Sequence, residues 1–250
     1  MMKPVVFLDL DDTIFHSTRK RTPDTQDVGA VGLDGRPVSY LSRAQRALID
    51  WFLASTDVVA TTARSAEELS RVRLGLTGWK ICANGAAIVA PDGGLDPTWT
   101  ERLRLPLAVA QAPLHKLAER AERFGATRCV DLKVRLVSAG ERHAYLRIRH
   151  RKGNVAELYD VIPVLREELP AGWTLTSNAN NVSVLPADVG KANAVAWLRA
   201  HAFRDRLALG AGDSLSDRDF MACCDFAFLP VPSQLLTILR ETPDDVQWKL

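Results

Sequence analysis

The chain has 250 residues, 47% apolar and 25% charged, an ordinary globular composition with room for one large domain or two modest ones. A formal net charge of +2 excludes the strong basic bias expected of a nucleic-acid or membrane-surface binder. No apolar run reaches the length of a membrane span, and the opening MMKPVVFLDLDD turns acidic too early for a secretory leader. The four cysteines (Cys82, Cys129 and the adjacent Cys223 and Cys224) show no metal-ligand spacing. These features predict free thiols in a reducing cytoplasm.

The first element is a four-residue apolar run at 5–8 that stops at Asp9, the pattern of a strand buried on both faces. Residues 16–40 are polar and glycine-bearing, and read as a long loop or small hairpin. The spacing of Leu41, Ala44, Leu48 and Phe52 predicts a helix over 41–52. A second buried strand at 58–60 is stopped by Thr61 and Thr62. Ser65 can cap the next helix, with Glu67 and Glu68 near its positive dipole end. A third strand follows at 81–83. This order indicates an α/β fold with a doubly wound parallel sheet.

The middle of the chain changes character. Residues 114–124 and 155–168 have helical periodicity, the second interrupted at Pro163. Residues 133–137 and 145–149 alternate apolar and basic side chains, as half-exposed strands do. The first pattern then resumes: helix at 191–200, strand at 207–209, helix at 217–223, strand at 226–229. The predicted organisation is a core from residues 1–88 and 186–250, with a smaller α/β cap inserted at 89–185.

Two acidic groups stand out. Asp9, Asp11 and Asp12 close the first strand in DLDDT, and Asp213 and Asp217 follow a late strand in GDSLSD. Ligands of open α/β sheets bind beyond the carboxyl ends of the strands. Two acid clusters at two strand ends can converge on one hard cation, and oxygen-only ligands favour Mg²⁺ over zinc.

At these residues the sequence resembles the haloacid dehalogenase superfamily. VVFLDLDDT is similar to its first motif and VVATTAR at 58–64 to its second. Lys191 in LPADVGKANAVAWL is similar to the third, and GDSLSDRDFM at 212–221 to the fourth. ICANGAAIV at 81–89 resembles the segment before the large α/β cap in the branch of sucrose-phosphate, trehalose-phosphate, mannosyl-3-phosphoglycerate and Cof-type phosphatases.

The resemblance implies a Mg²⁺-dependent phosphomonoester hydrolase working through an aspartyl-phosphate. It implies Asp9 as nucleophile, Asp11 as general acid and base, and Thr62 and Lys191 as contacts to the phosphoryl group. Asp9, Asp213 and the main-chain carbonyl of Asp11 would hold the metal, with Asp217 binding it or orienting Lys191. The chain departs from its relatives at Ala63, where glycine is common, and at Ser216, where asparagine is common.

The implied substrate is a small phosphorylated metabolite, a sugar phosphate or glycosyl-phosphoglycerate, with no nucleic-acid or membrane partner. A phosphotransferase or phosphomutase is the alternative, and a catalytically dead scaffold a more distant one. Residues 100–152 hold 13 Lys and Arg against 5 Asp and Glu, so basic charge is concentrated in the cap. Lys133 and Arg135 share one strand face, and Arg147, Arg149 and Arg151 share another. Arg64, Asn84, Lys133, Arg135, Asn178 and Asn180 are the substrate candidates, the last two because amides both donate to and accept from sugar hydroxyls.

Overall fold

The computed structural model describes residues 2–20 and 24–241. Strand β1 (Val5–Leu8) is buried along its whole length. Three short strands, β2 (His16–Ser17), β3 (Thr25–Val31) and β4 (Pro37–Ser42), form an antiparallel sheet of order β2-β4-β3. The polar segment at 16–40 is therefore a small sheet built on a hairpin. Helix α1 (Arg43–Ser55) begins later than the apolar spacing predicts, because Leu41 belongs to β4 and Ser42 caps the helix in a reciprocal box with Gln45. Then come β5 (Asp57–Thr61), α2 (Ala66–Leu69), β6 (Lys80–Cys82) and β7 (Ala87–Val89).

Helix α3 (Pro97–Arg128) runs 32 residues and contains Pro106 and Pro113. Sequence periodicity marks only 114–124, in its C-terminal half beyond Pro113, since an interior proline costs about 3 kcal/mol. The helix persists because Trp99, Leu103, Leu107, Ala110, Leu114, Leu117 and Ala121 form one buried stripe along it. Trp99, Leu103 and Leu107 pack with the β1 side of the molecule, while Ala110 to Ala121 pack into a second cluster with Leu146 and Ile148.

That second cluster underlies an antiparallel sheet. Strands β8 (Leu132–Ala139) and β9 (Arg142–His150) form a hairpin, followed by α4 (Val155–Tyr159), α5 (Val161–Arg166), β10 (Thr174–Ser177) and β11 (Val182–Leu185). The strand order is β10-β11-β9-β8. The helical break falls at Asp160 rather than Pro163, which sits in the first turn of α5 where its missing N–H is harmless.

The chain ends with α6 (Lys191–His201), β12 (Ala208–Ala211), α7 (Leu215–Met221), β13 (Phe226–Phe228) and α8 (Gln234–Glu241). The main sheet has the order β13-β12-β1-β5-β6-β7, parallel throughout except for β7. In its centre Leu8 lies opposite both Ala60 and Ala211. The residues just past β1, β5 and β12 are thereby gathered at one edge.

Candidate active site at the ends of three strands

Asp9 follows β1 directly, and its N–H donates to the Ala211 carbonyl at 2.8 Å. Thr62 follows β5, and Asp213 lies two residues past β12. Lys191, the first residue of α6, donates to Asp9 Oδ1 at 2.6 Å and to Asp217 Oδ1 at 2.7 Å. The other Asp217 oxygen accepts from the N–H groups of Asp213 and Ser214 and from the Ser214 hydroxyl. Thr13 donates its hydroxyl to Asp9 Oδ2 at 2.9 Å. Both oxygens of Asp9 are thus oriented.

Two glycines permit this closeness. A Cβ on Gly212 would stand 2.5 Å from Asp217 Cβ. A Cβ on Gly85, whose φ is +91°, would stand 2.2 Å from the Gly190 carbonyl oxygen. The turn at 83–85 therefore packs against the residue preceding Lys191 and fixes where α6 begins.

Asp9, Asp213 and Asp217 are all buried, and each offers an oxygen within 4.8 Å of the others. Burial, reinforced by Asp217 and Asp213, raises the Asp9 carboxyl well above its usual range even beside Lys191. Burial and then Asp217 push Asp213 to about 7. Burial opposes the charge on Lys191, but Asp217 and Asp9 overcome it and hold the ammonium protonated. Three carboxylates against one ammonium leave negative charge unmatched. The donor set, all carboxylate oxygen, fits a hard divalent cation such as Mg²⁺.

Asp11 stands apart from that cluster. Arg64 donates to its two oxygens at 2.8 and 2.7 Å, and also reaches Ser39 of β4 at 3.3 Å. The guanidinium lies 4.9 Å from the Phe15 ring centroid. Asp12 turns to Lys20 at 2.8 Å. Ser216 is exposed and shares a hydrogen bond with Ser214 at 2.8 Å, outside the carboxylate cluster. Thr62 is buried, and its hydroxyl oxygen accepts from the Arg64 N–H at 3.1 Å.

The remaining candidates divide. Asn84 is buried beside this centre in a left-handed conformation, and its N–H donates to the Thr62 carbonyl. Asn180 uses its side chain on the backbone N–H and carbonyl of His150, at 2.9 Å each, so it braces β9. The N–H of Asn178 donates to the Asn181 carbonyl across the turn between β10 and β11. Pairing in the β8–β9 hairpin puts Lys133 opposite Arg149 and Arg135 opposite Arg147. All four share one face of that sheet, together with Tyr145.

This face meets the loop after β5. The Tyr145 hydroxyl donates to the Ala63 carbonyl at 2.7 Å. Glu68 Oε1 accepts from Arg135 at 2.9 Å and from Arg147 at 3.1 Å. Against its own burial, Arg147 and Arg135 help lower Glu68 from 4.5 to about 2. From sequence alone Glu68 is a helix-dipole acid and Tyr145 carries no mark of function of its own. The shared parity of positions 145, 147 and 149 was the one available signal for Tyr145.

No family model matches the chain, and no curated protein matches it. Solved structures do. Sucrose-phosphatase from Synechocystis, in complex with sucrose and phosphate, is 21% identical, with a TM-score of 0.61 over 98% of this chain and 90% of that one. IMP-nucleotidase from Plasmodium falciparum is 14% identical, with a TM-score of 0.59 over 94% of this chain and 66% of that one. The C-terminal domain of trehalose-6-phosphate phosphatase from C. albicans is 13% identical, with a TM-score of 0.57 over 88% and 73%. The fold is the one these phosphatases share, as the four sequence motifs implied.

Proposed function

We propose that the chain is a Mg²⁺-dependent phosphomonoester hydrolase that acts on a small phosphorylated metabolite through an aspartyl-phosphate on Asp9. One observation carries this reading: Lys191 bridges Asp9 and Asp217 inside a buried group of three carboxylates. Such a group is costly to fold unless a cation and a chemical task account for it.

Asp9, Asp213 and Asp217 supply the side chains that would hold or support Mg²⁺, with the Asp11 carbonyl as a further oxygen. The bound ion supplies charge neutralisation, so that a carboxylate can approach a phosphate dianion. Lys191 adds a second fixed positive charge at the same place. Thr13 and Lys191 orient Asp9 for in-line attack on phosphorus. As the new P–O bond forms, the bond to the leaving alkoxide breaks, and Asp11 gives that oxygen its proton. Asp11 then takes a proton from water, which attacks the same phosphorus and frees Asp9 and inorganic phosphate. The Thr62 hydroxyl, whose oxygen accepts from the Arg64 N–H, keeps its proton to donate to a phosphoryl oxygen.

The substrate class rests on the fold neighbours, whose names point to sugar phosphates and a nucleotide. Sugar phosphates are the first choice. The test is a panel of sugar, nucleotide and glycerate phosphates assayed for phosphate release with and without Mg²⁺. The reading expects release that needs Mg²⁺ and disappears in Asp9→Asn. Release that survives Asp9→Asn removes Asp9 from the chemistry.

A further inference from the structure

The basic face of the β8–β9 hairpin carries more positive charge than the protein neutralises. Arg135 and Arg147 share the single carboxylate of Glu68. Lys133 and Arg149, paired across the hairpin, make no ion pair among the described residues. Arg149 is exposed, on the same sheet face as Arg147 and Tyr145. Desolvation and then Arg147 oppose its charge, while Asp11 and Glu68 favour it. This face is fixed above the catalytic loop by the bond from Tyr145 to Ala63.

The reacting phosphoryl group has contacts of its own in the proposed mechanism, Lys191 and Thr62 at the strand ends, which leaves these cations for another part of the substrate. Four like charges crowded on one sheet face repel one another, one carboxylate offsets only part of that charge, and an anion would relieve the rest. We infer that the substrate carries a second anionic group at the end remote from the reacting phosphate, and that Arg149 and Lys133 bind it. The inference rests on the phosphatase reading and narrows it from sugar phosphates in general to doubly anionic ones. The second group is a carboxylate or another phosphate, and either can accept two N–H donors from a guanidinium.

The test uses the full chain and matched ligands. Glucose 6-phosphate has a neutral far end, 6-phosphogluconate has a carboxylate there, and fructose 1,6-bisphosphate has a phosphate. The inference expects kcat/KM to favour one of the two doubly anionic compounds over glucose 6-phosphate by about tenfold or more. Arg149→Ala should collapse that ratio toward one, Arg149→Lys should restore part of it, and Lys133→Ala should act in the same direction. A ratio near one in the unaltered protein, or a ratio that Arg149→Ala leaves unchanged, overturns the inference. The carboxylate and phosphate arms show which anion is read. Calorimetric binding of the three compounds to Asp9→Asn separates the two readings. Selective binding without turnover in the unaltered protein would sink the phosphatase reading alone, whereas binding without charge selectivity, or no binding, would sink this one.

Discussion

Arg64 grips the carboxylate of Asp11 through both ends of its guanidinium, at 2.8 and 2.7 Å. The pair joins the loop after β5 to the loop after β1. It holds the Asp11 carboxylate outside the cluster of Asp9, Asp213 and Asp217. Proton delivery matters only when the leaving oxygen is basic. Arg64→Ala should therefore slow hydrolysis of alkyl phosphates about tenfold more than that of 4-nitrophenyl phosphate, and Asp11→Asn should widen the gap to about 10²–10⁴-fold. Steady-state rates on both substrates decide it. Equal losses on the two would mean that Asp11 is not the acid.

Lys191 is buried between two carboxylates. Removing its charge leaves Asp9 and Asp217 unpaired in a water-poor site. Lys191→Met should cost about 3–5 kcal/mol of stability, read by urea unfolding in the presence of a chelator. Part of that loss should return with Mg²⁺, because the ion replaces the missing positive charge. Activity should fall about 10³-fold even with Mg²⁺ present. Unchanged stability would contradict the geometry of the pair.

Cation binding should be visible without any substrate. Mg²⁺ at about 100 times its dissociation constant adds about 2.7 kcal/mol to a protein that binds it only when folded. The melting temperature should rise by several degrees, and Asp213→Asn should abolish the rise. An equal rise in Asp213→Asn would place the ion elsewhere.

Glu68 ties α2 to Arg135 and Arg147 of the hairpin. Its carboxyl is depressed from 4.5 to about 2, so its contribution is complete above about pH 4.5 and is lost as pH falls through about 2. Glu68→Gln should be less stable than the unaltered protein by roughly 1–3 kcal/mol at neutral pH. The difference should shrink steadily between those two pH values. Hydrogen exchange should locate the loosening in β8 and β9. A pH-independent difference would show that Glu68 acts by packing alone.

The centre was legible in the sequence because its chemistry is written locally. DLDDT and GDSLSD each put uncompensated acids at the end of an apolar run, and a short buried run of that kind marks a strand end. The sheet order then brings Asp9 and Asp213 together. Contacts across the molecule left no such mark. Tyr145 meets Ala63 across 82 positions and Arg147 meets Glu68 across 79, and neither pair is encoded by periodicity. The length of α3 was hidden by Pro106 and Pro113, whose local cost is outweighed by a stripe that becomes apolar in meaning only once both clusters exist. The basic residues of β8 and β9 were visible separately. That all four share one face depends on hairpin register, which the intervening sequence does not announce.

The claim at the centre is a covalent phosphate on Asp9. Mixing the protein with a turned-over substrate and Mg²⁺, quenching it early and reducing with borohydride converts an acyl phosphate to an alcohol. Peptide mass spectrometry should then find homoserine at position 9, only when substrate and Mg²⁺ were both present, and no trapped adduct in Asp9→Asn. Trapping at any other carboxylate, or full turnover by Asp9→Asn, would contradict the account.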